Sequence, residues 1–314
     1  MPACAGRPAA GAPPRLYRVT RLWQRARVSR AESRAELADA VLVARKRLVA
    51  RTFAAAAETY DQHARVQRAV AAELAERTAR LPLPAAPRVL EIGCGTGFLT
   101  ALLLRRFPAA RLLATDLAEA MVTHCRRKLG AADGGGAAAR AAYAVMDGEW
   151  PALRPAQHEL VVASLAFQWF AALGPALARL VGCLARGGTL LFATLGADTF
   201  REWRAAHAAL GLRHGVPSLP SADALLAALP AGGVGAPARV DEAWHELQYP
   251  RARDFLTALR AAGAHLPAPG YRPLPSAQLR AVLAALERGG PVRITYHVLY
   301  AAYTAPARPA AACP

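Results

Sequence analysis

From Arg88 to Gly97 the chain reads Arg-Val-Leu-Glu-Ile-Gly-Cys-Gly-Thr-Gly, a short apolar run closed by glycines at alternate positions, with a helical pattern over Leu99–Phe107 behind it. Such a run reads as a buried strand, and glycines directly after it allow a tight turn into a helix. The same alternation continues downstream. Strands are expected at Arg111–Asp116, Ala141–Met146, Glu159–Leu165 and Thr189–Leu195, with helices at Leu117–Leu129 and Ala176–Leu184. Gly134–Gly136 punctuate the gap before the third strand. Strands separated by helices imply a parallel sheet covered on both faces.

After Gly196 the rhythm loosens. Helices are expected at Thr199–Leu210, Ala222–Leu229, Ala252–Ala262 and Ser276–Arg288, and strands at Arg239–Gln248 and Arg293–Tyr303. The fold class is therefore α/β and Rossmann-like: a mostly parallel, seven-stranded sheet with helices on both faces and a helical cap. Residues 1–37 read as an Arg/Pro/Ala-rich arm, because the first 31 residues hold seven arginines, no acid and no sustained apolar period. Two lid helices fit 38–80, which lacks proline and glycine; the core is 88–196, the cap and substrate region 197–290, the final strand 291–303 and a tail 304–314. One domain spans 38–303, and a chain of 314 residues buries roughly three quarters of its unfolded surface.

The glycine loop speaks to chemistry. Gly93, Gly95 and Gly97 keep the turn tight and let a ligand approach the backbone. A dinucleotide fingerprint would place its third glycine one residue later and hold a pyrophosphate at the helix N-terminus. S-adenosylmethionine (SAM) has no phosphate and needs neither. Asp116 ends the next strand, 25 residues after Glu91, where a carboxylate can accept both hydroxyls of a ribose. Asp147-Gly148-Glu149 follows the third strand, where a carboxylate can take the adenine amino group. Leu117, Met121 and Ser164, at or just past strand ends, complete the candidate cofactor set with Glu91. For the glycines alone the competing reading is an ordinary turn; for Glu149 it is a solvated carboxylate.

Composition narrows the class further. The net charge is +17, yet only Lys46 and Lys128 are lysines among 39 basic residues, in an alanine-rich chain. That bias has the look of genomic composition on a solvated surface, although the charge still attracts acidic partners. Nucleic acid is not expected as a partner. Cys4, Cys94, Cys125, Cys183 and Cys313 fall in no metal-ligand spacing, so no metal is expected and a reduced, cytoplasmic protein is. The uncharged stretch Leu160–Ala178 is interrupted by Ser164, Gln168, Gly174 and Pro175 and reads as strand, turn and helix, not a membrane span. A monomer is expected.

Longer motifs sharpen the reading. The stretch Thr52-Phe-Ala-Ala-Ala-Ala-Glu-Thr-Tyr60-Asp-Gln-His63-Ala-Arg-Val-Gln67 resembles the N-terminal signature of the malonyl-[acyl-carrier protein] O-methyltransferases. So do Ser164-Leu-Ala-Phe-Gln168-Trp169, Ala193-Thr-Leu-Gly196 and Ile294-Thr-Tyr296-His297, so that the resemblance runs from Ala44 to Tyr303. It implies a class I SAM-dependent methyltransferase that esterifies the free carboxylate of malonyl-acyl carrier protein for biotin synthesis. It also implies that Tyr60 and His63 close over SAM, and that Tyr60, Gln168 and Trp169 position the reactants. No general base is required, since a carboxylate is already ionised near neutral pH. Tyr60 and Trp169 as plain core aromatics, and His63 as a surface residue, are the readings to set against these roles.

One segment departs from the family. Where a histidine is usually followed by Asn-Arg-Phe, this chain has His214-Gly-Val-Pro-Ser-Leu-Pro220. Arg201 and Arg213 become the candidates for the substrate carboxylate, with Arg204 also in the capping region. Two alternatives follow: methylation of another small carboxylate or hydroxyl, and a non-catalytic respiratory-complex assembly factor that retains the fold, which the arginine-rich start would suit as a transit peptide.

Overall fold

Five parallel strands form the centre of the sheet: β1 (Arg88–Ile92), β2 (Arg111–Asp116), β3 (Ala141–Val145), β4 (His158–Ser164) and β5 (Leu184–Leu195). The last two strands of the chain, β6 (Arg239–Tyr249) and β7 (Val292–Thr304), extend it in the order β3-β2-β1-β4-β5-β7-β6, with β7 antiparallel to both neighbours. This is a computed structural model, and it describes residues 40–132, 141–230 and 237–307. The expected arm, the glycines at 134–136 and most of the tail lie outside the described residues.

Residues 40–47, the described part of a first compact unit, are helical; all that follows concerns the second unit, Leu48–Pro314. It opens with a helix over 48–56 (α1), then the short α2 (Tyr60–His63) and α3 (Arg65–Thr78). Breaks at Thr59 and Ala64 set the short α2 apart, so that 48–80 holds three helical pieces. The core helices are α4 (Phe98–Arg106), α5 (Glu119–Ala132) and α6 (Leu173–Gly182). The cap is built from α7 (Arg201–Ala208) and α8 (Ala222–Ala228) before β6, and α9 (Ala252–Ala261) and α10 (Ser276–Glu287) between β6 and β7.

The central strands read as unbroken apolar runs because both faces are covered. Leu90, Val161, Val162, Leu190 and Phe192 are fully or almost fully buried. On one face α3, α4 and α5 supply Val70, Leu74, Leu99, Leu103 and Cys125; on the other α6 and α8 supply Leu177, Leu180 and Leu225. Each such side chain contributes roughly 2 kcal/mol on burial. The expected strands and helices all occur, with ends displaced by a few residues; β5 begins earlier than expected, at Leu184, because its pairing with β4 passes through an irregularity between His158 and Leu160. No helix among the described residues is long and apolar enough to cross a membrane.

Candidate active site

At the carboxyl end of β1 the chain turns through Gly93, Gly95 and Gly97, all with positive φ. At Gly93 a Cβ would lie 2.5 Å from that of Ala166, and at Gly97, the residue before α4, it would lie 2.8 Å from Cys125 Sγ. Only glycine holds this loop against the sheet. A Cβ at Gly95 would meet nothing within 4 Å, so that part of the loop is open to a ligand.

Asp116, at the end of β2, ties the loop down: one carboxylate oxygen accepts the Gly95 N–H at 3.0 Å, the other the Ala118 N–H at 2.9 Å. A carboxylate has about four acceptor positions, so acceptor capacity remains for a ligand hydroxyl. Burial pushes its pKa up, and the backbone donors pull against that. Glu91 sits elsewhere. It is 1% exposed under α4, and burial, reinforced by the charge of Asp116 and opposed by a hydrogen bond from Thr100, raises its pKa to about 7. One of its oxygens has no partner.

Beyond β3, Asp147 accepts the Glu149 N–H at 3.0 Å. Gly148 is buried, and Glu149, 2% exposed, accepts the N–H groups of Ala171 and Ala172 at 2.9 and 2.8 Å ahead of α6. Glu149 thus fastens the chain where it enters α6. Leu117 lies on the surface beside α1, Met121 is buried with Ala57 and Ala118 under the lid, and Ser164 ends β4, partly buried.

The lid is fixed by a residue that was not among the expected site residues. Asp61, in α2, accepts the hydroxyl of Thr96 from the glycine loop and the ammonium of Lys128 from α5, the latter at 2.6 Å. Beside it Tyr60 packs on Phe53 and Phe98, with ring centroids 6.5 and 6.2 Å away. Burial, then the charges of Asp116 and Asp61, push the Tyr60 hydroxyl far above its ordinary pKa, so it stays protonated. His63 ends α2, partly buried, outside the cavity that Tyr60 lines.

That cavity opens at the carboxyl ends of β4 and β5, the usual crevice for a ligand in such sheets. Tyr60, Gln168 and Trp169 line it together with Phe53, Gln67 and Tyr296. Gln168 and Trp169 lie in the short 3-10 turn Phe167–Trp169 just past β4. The Gln168 amide is held at both ends, donating to Leu165 O and accepting from the Thr194 hydroxyl at 3.4 Å. The Trp169 ring meets Phe53 edge-on at 5.3 Å. Arg201 and Arg213 are both exposed and outside this lining; Arg201 pairs instead with Glu202 and Glu246 at 3.2 and 3.3 Å.

Comparison with known proteins adds to this geometry. Residues 89–188 match the methyltransferase domain family. The malonyl-[acyl-carrier protein] O-methyltransferase of Magnetococcus marinus is 44% identical over 247 residues, covering 78% of this chain and 88% of that protein. The chain belongs to the malonyl-[acyl-carrier protein] O-methyltransferase family. A second member of it, from Anoxybacillus flavithermus, is 33% identical over 81% of this chain and 96% of its own. The biotin biosynthesis bifunctional protein BioCD of Bordetella avium is 42% identical over 83% of this chain, which spans about half (53%) of that longer protein.

As a family member this is a SAM-dependent methyltransferase; the non-catalytic reading of the arginine-rich start is set aside. Two solved structures share the fold at 13% identity: the YcgJ protein of Bacillus subtilis, with a TM-score of 0.52 over 74% of this chain and 97% of that one, and a Bacillus halodurans protein solved as a candidate methyltransferase, with 0.53 over 75% and 99%.

Proposed function

We propose that this methyltransferase esterifies the free carboxylate of a malonyl group carried on acyl carrier protein, the step that masks that charge for pimeloyl synthesis on the way to biotin. The observation that carries the reading, beside the names of the relatives, is the chemistry of the cavity wall. Its described lining holds tyrosines and two amides but no histidine, carboxylate, lysine or cysteine. Tyr60 and Tyr296 both have pKa values pushed up by burial, so neither serves as a base near neutral pH. An alcohol acceptor would need a group to take its proton. A carboxylate needs none.

The residues present fit SAM, which supplies a methyl group on a sulfonium cation. Asp116 has acceptor positions left for the ribose hydroxyls, and Gly95 leaves the loop open toward it. Asp147 stands past β3, where it can meet the adenine; Met121 and Leu117 lie beyond Asp116, and Ser164 and His63 flank the site. Glu91 and Glu149 act from beneath, through the β1–α4 packing and the chain entering α6. Phe53, Tyr60 and Trp169 line the cavity with aromatic rings, which exclude water and attract a cation. Gln168, held at both ends, orients the acceptor in line with the methyl group.

The test is transfer of labelled methyl from SAM to malonyl-acyl carrier protein, with the acetyl carrier as blank and malonyl-coenzyme A as comparison. Rapid labelling of the malonyl carrier alone is expected. Labelling of an alcohol acceptor in preference to any malonyl species would sink the reading.

A further inference from the structure

The cavity beside Trp169 does not end at its own walls. Leu259, Leu266, Phe200 and Val216 also line a neighbouring cavity, which reaches Arg260 and His265. Those two residues in turn line a third, more open cavity, where Arg51 of α1 joins them. Shared lining residues thus relate the aromatic reaction chamber, through mostly apolar walls, to a basic mouth between α1 and the end of α9.

Some arginines of this chain are already paired and others are not. Arg77, Arg88, Arg127 and Arg201 are engaged with carboxylates. Arg51 and Arg260 are exposed and have no hydrogen-bond or carboxylate partner among the described residues. Burial, and then the charge of Arg260, lower the pKa of His265, so it is neutral near pH 7 and serves as a donor beside the two fixed charges. Two guanidinium groups left unpaired beside mostly apolar walls fit an anion on a long thin substituent.

We propose that Arg51 and Arg260, with His265, receive the phosphodiester of the phosphopantetheine arm, whose pantetheine portion runs along Leu259 and Leu266 and delivers the malonyl carboxylate to Trp169. This rests on the carrier-bound substrate reading above. The rest of an acidic carrier protein then lies over α1 and α9, steered there by the same charges.

The experiment compares wild type with Arg51→Ala, Arg260→Ala and the double variant in methyl transfer to malonyl-acyl carrier protein, with free phosphopantetheine and pantetheine as inhibitors. SAM affinity checks that each variant is folded. Each single variant is expected to raise KM about tenfold at low salt, and the double variant about a hundredfold, with kcat held. Wild type is expected to bind phosphopantetheine more tightly than pantetheine, and the double variant to treat the two alike. An unchanged KM, a raised KM with the inhibitor preference intact, or a wild type indifferent to the phosphate would each overturn the proposal. A wild type that labels no malonyl carrier fails the underlying reading instead, which separates the two failures.

Discussion

Glu91 shows how one side chain can belong to a cofactor motif and still be set by burial. The native state holds its proton up to pH about 7, whereas an ordinary glutamate loses it near 4.5. Between those values the folded chain binds more protons than the unfolded one, so stability falls as pH rises through that window. Above it the ionised form costs about 3 kcal/mol. Glu91→Gln removes the titration. The melting temperature of the variant relative to wild type is therefore expected to climb between about pH 5 and about pH 8. Thermal melts at several pH values check this, and parallel curves for the two proteins would refute it. Asp116 is also pushed up, but its carboxylate accepts two backbone N–H groups at the end of β2. Both acids were legible from their distance to the glycines. The strand end that carries Asp116 was legible as well; the burial of Glu91 under α4 was not.

Among the elements, α2 carries the most consequence for its size. It has four residues and none is buried, so it has little intrinsic stability. It stays in place through Asp61, which reaches both Thr96 and Lys128. Asp61→Ala is expected to weaken SAM binding about fivefold, less than a buried charged pair would give because the partners are partly exposed. It should also speed amide exchange across 60–63. Calorimetric titration and hydrogen exchange measure the two effects, and an unchanged exchange rate would mean that the aromatic contacts of Tyr60 hold the lid alone. The signature around Tyr60 drew attention to the tyrosine and histidine. Asp61 between them reads as a solvated helical charge until α5 is seen to bring Lys128 beneath it.

For the whole molecule, the carboxyl-terminal hairpin is what closes the sheet. Ile294, Val298, Leu299 and Ala301 of β7 are fully buried, and β7 pairs with β5 along seven residues from Thr189 to Leu195. Without it β5 would become an exposed edge with an uncovered apolar face. Deleting residues 237–307 is expected to abolish cooperative unfolding altogether, not merely lower the melting temperature. A sharp calorimetric transition in the truncated chain would show instead that the first five strands are a self-sufficient domain. Both halves of the cap depend on the same two strands, since α9 and α10 are inserted between them and α7 and α8 pack against them.

The sequence by itself determined the strand and helix order, the parallel centre, the glycine turn and the place of Asp116 beyond it. These follow from local periodicity and from a backbone that only glycine can adopt. Gln168 and Trp169 were also within reach, because a position just past a strand end is a local property. The tertiary structure decided which side chains share a cavity. Phe53 and Gln67, Trp169 and Tyr296 come from three distant parts of the chain, and Arg201, a candidate by its position after β5, is drawn away by Glu202 and Glu246. Arg51 and Arg260, two exposed arginines in a chain full of them, become neighbours only when α1 and α9 line one mouth. Periodicity records which face of an element is buried; it carries no record of which distant element will cover it.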